Sequence, residues 1–275
     1  MLPFSVIISV YKNDIPDFVR LALDSILIEQ ILKPNEIVLV RDGQVSEELD
    51  RLIDEYDARY PELFNIIRLN QNCGLGLALK KGVESAKYNI IARMDSDDIS
   101  LPNRFFLQLQ YLERHQDVDI VGGQMSEFIG TPDNIVSKRI VPCSNDDIYD
   151  YMKGRCAFNH VTVMFRKNAV LKAGNYLDWF WNEDYYLWVR MAKEQCRFAN
   201  LPEILVNVRS GSNQYARRGG RRYYESEKGI KKYQLQNGMI SRVEYVFFMA
   251  QRFVVQILMP NWMRGRVFRL LARKK

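Results

Sequence analysis

The chain has 275 residues, 47% of them apolar and 26% charged, which is ordinary for a globular protein and ample for a core of one large domain or two modest ones. No apolar run reaches the ~20 residues needed to span a bilayer, and four scattered cysteines (Cys73, Cys143, Cys156, Cys196) argue against a zinc site or disulfide framework and fit a reducing compartment. The net charge of +6 is mild, but the tail from Arg217 onward is strongly basic, which points to an anionic surface, either membrane or nucleic acid.

The N-terminus lacks a basic n-region and a small-residue cleavage site, so no signal peptide is expected. Phe4 to Val10 is a continuous apolar, β-branched run, as expected of a central parallel strand. Phe18, Leu21, Ala22, Ser25 and Ile26 then recur at helical spacing until Lys33-Pro34-Asn35. Glu36 to Val40 is a second strand, ending in Arg41-Asp42-Gly43. Glu47 to Tyr60 is a helix stopped by Pro61, and Phe64 to Leu69 a third strand. A helix entered through glycines covers Gly74 to Ala86, and Ile90 to Met94 is the fourth strand. This alternation argues for a parallel sheet with right-handed crossovers.

A helix follows Leu101-Pro102-Asn103, and Val118 to Gly122 is a further strand. Ile129 to Ile148 is turn-rich. Phe158 to Phe165 reads as a strand, Lys167 to Lys172 as a short helix, Glu183 to Lys193 as a helix and Phe198 to Val208 as a strand. Ser210 to Gly220 is a polar, basic loop. Arg221 to Asn237, Ser241 to Met259 and Asn261 to Lys275 read as helices.

The chemistry concentrates after the fourth strand, where Asp95, Asp97 and Asp98 crowd together. In open α/β sheets ligands bind beyond the carboxyl ends of strands, and adjacent carboxylates repel unless a cation lies between them. A hard divalent ion sharing phosphate oxygens would suit them. A solvated acidic turn capping the next helix is equally compatible with these residue types. The other strand ends face the same edge. Tyr11 is suited to stacking on a base, Asp42 to accepting from a ring N–H, and Gly74 and Gly76 to close approach by a ligand. Gly74-x-Gly76 is no Rossmann fingerprint, since the third glycine would fall at Leu79, and no Walker-type phosphate loop is present. Downstream, Glu183 and Asp184 open a helix, where its dipole favours ionised carboxylates. Trp179, Phe180 and Trp181 precede them and offer apolar faces to sugar rings or to the core.

These segments carry a family resemblance. VIISVYKND, VRDG, NCGLGLALKKGVESAKYNIIARMDSDD, LPNRFFLQ, NHVTVMFRKNAV and NEDYYLW, in that order, resemble the inverting glycosyltransferases of family 2 over residues 3–210. YARRGGRRYYESE is similar to bacterial enzymes of O-antigen, capsule or exopolysaccharide synthesis. The resemblance implies an α/β GT-A fold: a Rossmann-like, mostly parallel sheet flanked by helices over 1–210, with a nucleotide half (1–98) and an acceptor half (99–210). A basic loop and amphipathic helices follow over 211–275. It implies a UDP-sugar donor held by Val10, Tyr11, Asp42, Gly76, Lys80, Arg93, Asp95, Ser96 and Asp97. Asp97, with Asp95, would hold Mn²⁺ or Mg²⁺, and Asp184 would be the catalytic base. Asp98, His160, Trp181 and Glu183 are candidates for sugar contacts. Arg93 lies on the same strand face as Asp95 and is placed to pair with it. Lys80 and Leu79 depart from the Asn and Arg of many relatives, and Arg217 and Arg218 replace a His- or Ser-rich loop.

In the tail, Val246, Phe247, Ala250, Val254, Ile257 and Leu258 form an apolar stripe. Met263, Val267, Leu270 and Leu271 form another, opposite Arg266, Arg269 and Arg273. This pattern fits a helix on an anionic membrane, where the family's polyprenyl-diphosphate-linked acceptors reside, and the expected location is the inner face of a bacterial plasma membrane. The alternative is a helix pair packed on the catalytic domain with a solvated basic face. A nucleic-acid reader is disfavoured, because no recognisable reading motif is present. The alternative outside enzymes is a nucleotide-sugar-binding module without catalysis.

Overall fold

The structure is a computed structural model and describes residues 1–211 and 219–260. Four strands, β1 (Phe4–Tyr11), β2 (Glu36–Asp42), β3 (Phe64–Arg68) and β4 (Ile90–Met94), pair in parallel in the order β3-β2-β1-β4. The connecting helices are α1 (Pro16–Leu27), α2 (Glu47–Arg59) and α3 (Leu75–Ser85). β1 is mostly apolar because both its faces are covered. Val6, Ile8 and Val10 join one core with Leu23 of α1 and Leu49 of α2. Ile7 joins another core with Ala78 and Val83 of α3. This is the two-sided burial expected of a parallel sheet.

The chain continues through β5 (Ile99–Ser100), α4 (Arg104–Arg114), β6 (Ile120–Phe128), β7 (Ile135–Arg139), α5 (Asn145–Gly154), β8 (Met164–Arg166), α6 (Lys167–Lys172), α7 (Glu183–Lys193) and β9 (Phe198–Arg209). The sheet extends from β4 through β8, β6 and β9 to β5, with β7 paired to β6 alone. β6–β9 is parallel, and β4–β8, β6–β8, β6–β7 and β5–β9 are antiparallel. A flat sheet would separate β4 from β5 by roughly 19 Å. The short connection Met94–Ile99 spans at most about 18 Å. The sheet therefore curls, and residues 95–98 close the curl. The expected mixed α/β architecture, with a mostly parallel central sheet flanked by helices, is the one found.

Three segments differ from the sequence reading. β6 continues to Phe128, six residues past the predicted end at Gly122, because β9 pairs with it along its full length. The turn-rich stretch contains β7 and α5, the latter capped by Ser144, whose Oγ accepts from Asp147 N. The predicted strand over Phe158–Phe165 is instead a 3-10 turn (His160–Thr162) followed by β8. Its polar residues take the backbone partners: Thr162 Oγ1 donates to Asn159 O (2.8 Å), and Asn159 Nδ2 to Gly123 O (2.8 Å).

Two C-terminal helices, α8 (Arg221–Gln236) and α9 (Arg242–Phe253), form an antiparallel pair, and α9 runs into a π turn (Val254–Leu258). Ser241 and Glu244 form a reciprocal capping box at the start of α9. Arg252 on α9 pairs with buried Glu227 on α8 and donates to Gly154 O. Lys231, wholly buried, donates to Tyr185 Oη (2.8 Å), to Gln234 Oε1 (2.8 Å) and to Lys153 O. The helix read over Asn261–Lys275 lies outside the described residues, as do Arg217 and Arg218.

Removing one partner of a buried ion pair strands the other charge. Arg252→Ala is expected to lower stability by about 3 kcal/mol, measured as a reduced midpoint of chemical unfolding.

Candidate active site

Curling of the sheet brings the turn after β4 against the end of β9. β5 pairs Ile99 with Asn207 and Ser100 with Val206. Arg209 therefore lies beside the acidic turn. Its backbone N–H donates to Asp98 Oδ1 (2.8 Å), and its Nε to Asp97 O (3.1 Å). Its guanidinium lies 3.7 Å from the ring centroid of Phe18 and 4.7 Å from that of Phe128. An open cleft of about 760 Å³ is lined by Asp95, Asp97, Asp98, Arg209, Ile15 and Phe18, among others.

The carboxylates are not equivalent. Both oxygens of Asp95 accept from the two terminal nitrogens of Arg93, a buried guanidinium. The pairing expected from strand alternation is thus bidentate. Asp97 lines the cleft, with its pKa pushed up to about 6 by burial and by the charges of Asp95 and Asp14. Asp98 is buried, and its pKa is pushed well above the usual range by burial and by its neighbours Asp95 and Asp97. A fourth carboxylate, Asp14, accepts from Tyr11 N (3.0 Å) and Ser96 Oγ (2.9 Å), and burial raises its pKa to about 6. Crowded carboxylates whose charge is disfavoured this way suit a cation. Among the described residues no three His, Cys, Asp or Glu gather into a metal cage. An ion bridging a diphosphate needs only one or two carboxylates, with oxygen from phosphate and water, so the donor set fits Mg²⁺ or Mn²⁺.

The nucleotide-side candidates divide. Tyr11 is exposed at the end of β1, whereas the Val10 side chain is buried in the core. Asp42 is buried and holds the β3–α3 loop: Oδ1 accepts from Cys73 N (2.7 Å), and Oδ2 from Gly74 N (2.9 Å) and Asn72 Nδ2 (2.9 Å). A carboxylate offers about four acceptor positions, which leaves room for one more donor. Gly76 is small for a different reason from that expected. A Cβ there would meet Leu177 O at 2.5 Å and Glu183 Cβ at 3.2 Å, so the close approach is by the chain itself. Lys80 runs along α3, 4.0 Å from Glu84.

Gly76 thus seats the first turn of α3 against the first turn of α7. Asn182 is the N-cap of α7 and its side chain makes no capping bond, so Glu183 and Asp184 are first-turn residues and not caps. Asn182 reaches instead to α8, donating to Ser226 Oγ (3.1 Å). Glu183 lies within electrostatic reach of Arg93 and Asp95; burial first, then Asp184, raises its pKa to about 7. The thiol of Cys156 is 3.7 Å from Asp184 Oδ2. His160 is partly buried: its Nε2 meets Tyr176 Oη at 2.9 Å, its ring packs on Trp188, and burial and the charge of Arg93 hold its pKa well below the usual range. Of the three aromatics, Trp179 packs on Tyr186 and donates to Ser226 O, whereas Trp181 is half exposed, at φ +53°, stacked on Phe180. Arg209, Asp14 and Cys156 escaped the sequence reading. Asp14 ends the VIISVYKND segment and was the most accessible of the three.

Comparison with known proteins follows the same line. Residues 5–176 match the model of glycosyl transferase family 2. The chain is 39% identical over 247 residues to the amylovoran biosynthesis glycosyltransferase AmsE of Erwinia amylovora, covering 88% of this chain and 90% of that one. It is 32% identical over 271 residues to the Escherichia coli UDP-Gal:alpha-D-GlcNAc-diphosphoundecaprenol beta-1,3-galactosyltransferase, covering 98% and 97%. Its fold is similar to that of S. aureus TarS 1–349 solved with UDP-GlcNAc, with a TM-score of 0.67 at 17% identity over 98% of this chain and 76% of that one. The fold is that of a GT-A glycosyltransferase. The chain belongs to glycosyl transferase family 2.

Glu183 binds its proton more tightly folded (pKa about 7) than unfolded (4.5). Its protonated form therefore adds stability that is complete below pH 4.5 and is lost as pH rises through 7. Glu183→Gln is expected to raise the melting temperature at pH 8 by about 3 °C or more and to change it little at pH 4.5, as read by scanning calorimetry at both values.

Proposed function

We propose that this glycosyltransferase moves a hexosyl unit from a UDP-sugar to a hydroxyl of a polyprenyl-diphosphate-linked glycan during bacterial surface polysaccharide synthesis, inverting the anomeric centre. The observation that carries the reading is the convergence of the Asp95–Asp98 turn with the Glu183–Asp184 turn of α7, joined by the electrostatic reach of Glu183 to Arg93 and Asp95. The names of the E. coli and Erwinia relatives support the substrate class.

In this reading Tyr11 stacks on the uracil and Asp42 accepts its ring N–H. Asp97, assisted by Asp95, holds Mn²⁺ or Mg²⁺, and Ser96 steadies the turn through Asp14. A bound divalent ion supplies neutralising charge for the leaving diphosphate. Arg93 keeps Asp95 aimed, and Arg209 holds Asp97 and Asp98 in the cleft. Asp184 takes the proton of the acceptor hydroxyl as that oxygen attacks C1 from the face opposite UDP. The C1–O bond to UDP breaks as the new glycosidic bond forms, so an α-linked donor yields a β-linkage. Asp98, His160, Glu183 and Trp181 are the candidates for sugar contacts, while Gly76 and Lys80 act through α3.

The acceptor's lipid suggests the remaining partner. Among the described residues no helix is long and apolar enough to cross a membrane. Val243, Val246, Phe247, Val254, Ile257 and Leu258 are exposed on α9 and its π turn, whereas Met249 and Gln256 face inward. This exposed apolar stripe, followed in the sequence by a basic tail, supports peripheral docking on the anionic cytoplasmic leaflet of a bacterial plasma membrane, with 1–210 as the catalytic unit and 211–275 as the docking unit.

Calorimetric titration of UDP is expected to give micromolar binding with Mn²⁺ and none with EDTA. Metal-independent binding would remove the cation from the reading, and no binding in either condition would remove UDP. Asp184→Asn should retain UDP affinity within about two-fold and lose transfer by 10²-fold or more; near-normal transfer would place the base elsewhere. The double substitution Val246→Glu with Phe247→Glu should abolish co-sedimentation with anionic liposomes, and unchanged sedimentation would rule α9 out as the contact.

A further inference from the structure

We propose that Cys156 is a positioning residue for the catalytic base: its thiol donates to Asp184 Oδ2 and holds that carboxylate toward the acceptor hydroxyl. The inference rests on Asp184 being the base. The Sγ–Oδ2 distance is 3.7 Å, and the other acceptor within reach of the same sulfur is Phe158 O, at 3.5 Å. A thiol has one hydrogen, so it serves one of these acceptors at a time.

The segment carrying Cys156 is held by Arg139 of β7 together with Asn200 of β9, which donates to Ala157 O (3.1 Å). Arg139 donates through Nη2 to Cys156 O (2.7 Å), and through Nη1 to Phe158 O (2.8 Å) and Asn159 Oδ1 (2.8 Å). Asn159 in turn donates to Gly123 O and Arg139 O. The loop between α5 and the 3-10 turn is thereby clamped to the β6–β7 hairpin, which leaves the sulfur little freedom. Burial and the neighbouring Asp184 carboxylate push the thiol up to about 12, so it keeps its hydrogen at neutral pH and acts as a donor. Asp184 makes further interactions of its own; the thiol adds an orienting contact on one named oxygen.

The two acceptors match the two states of the reaction. Before transfer Asp184 is an anion, and hydrogen bonds to an ion are the stronger ones, so the S–H points at Oδ2. When the acceptor's O–H bond breaks, its proton forms a new O–H on Asp184. The thiol hydrogen then turns to Phe158 O, and no bond to sulfur forms or breaks. The donor thus favours the ionised base without having to be displaced when the base is protonated.

The test is steady-state transfer to a water-soluble acceptor analogue by the full chain, comparing wild type with Cys156→Ala, Cys156→Val and Cys156→Ser, each checked for a cooperative melt. We expect Ala and Val to lower kcat about five-fold or more, with KM for the donor within about two-fold, because a positioned hydrogen bond to a charged group is lost. Serine, which restores a donor, should return kcat to within about two-fold of wild type. Wild-type kcat in both Ala and Val would overturn the proposal, as would a Ser variant no better than Ala. A parallel loss of donor affinity would overturn it too, since that would mark a packing role. Val leaves no cavity where Ala would, so it carries the test if Ala fails to fold. If wild type transfers but Asp184→Asn does so equally well, the assignment of the base fails and this inference falls with it. Transfer that needs Asp184 but ignores Cys156 refutes this inference alone.

Discussion

The structure depends on the shortness of the connection between Met94 and Ile99. It joins a central strand to the strand at the far end of the sheet path, and it can do so only if the sheet bends round on itself. The acidic turn is that connection. The residues with the densest negative charge therefore also hold the architecture closed, and the cost of crowding them is met by cations built into the same closure. Arg93 rises from the strand that ends in the turn, and Arg209 arrives on the strand that the turn's far end pairs with. A sheet that did not curl would leave the carboxylates without Arg209.

That arrangement sorts chemically similar side chains into different tasks. Asp95 is bound to a guanidinium along both oxygens, Asp98 receives a main-chain N–H, Asp14 steadies the turn, and Asp97 lines the open cleft. Glu183 and Asp184 are sequence neighbours on one helical turn, yet one faces Arg93 and Asp95 and the other the Cys156 thiol. Environment, not residue type, separates the carboxylate suited to an ion from the one suited to a proton.

The N-terminal part of the molecule, residues 1–94, was legible because local signals agreed. Apolar β-branched runs, helical periodicity and glycine or proline punctuation put β1 to β4, α2 and α3 within a residue or two of their observed ends, while α1 stops at Leu27, several residues short of the break at Lys33-Pro34-Asn35. Asp95, Asp97 and Asp184 were legible because they stand where strands or helices meet solvent. What escaped was set by distant pairing. Arg209 reaches Asp98 across 111 positions, and only the β5–β9 register brings them together. The stretch around His160 looked extended by composition, but Asn159 and Thr162 captured the backbone groups that a strand would have used. The glycine at 76 was read as room for a ligand when the neighbour it accommodates is Leu177.

The C-terminal helices are joined to the rest by buried polar groups rather than by a loose hinge. Lys231 reaches α5 and α7, Arg252 reaches Gly154, and Ser226 reaches the cap of α7. The helix that carries Asp184 and the helix that exposes the apolar stripe therefore move as one block. Such a block acts as a caliper. If α9 rests on a bilayer, the height of Asp184 above the headgroups is constant. The enzyme would then choose among acceptors by how far a hydroxyl stands from its lipid, counting sugars by distance before recognising any of them by shape.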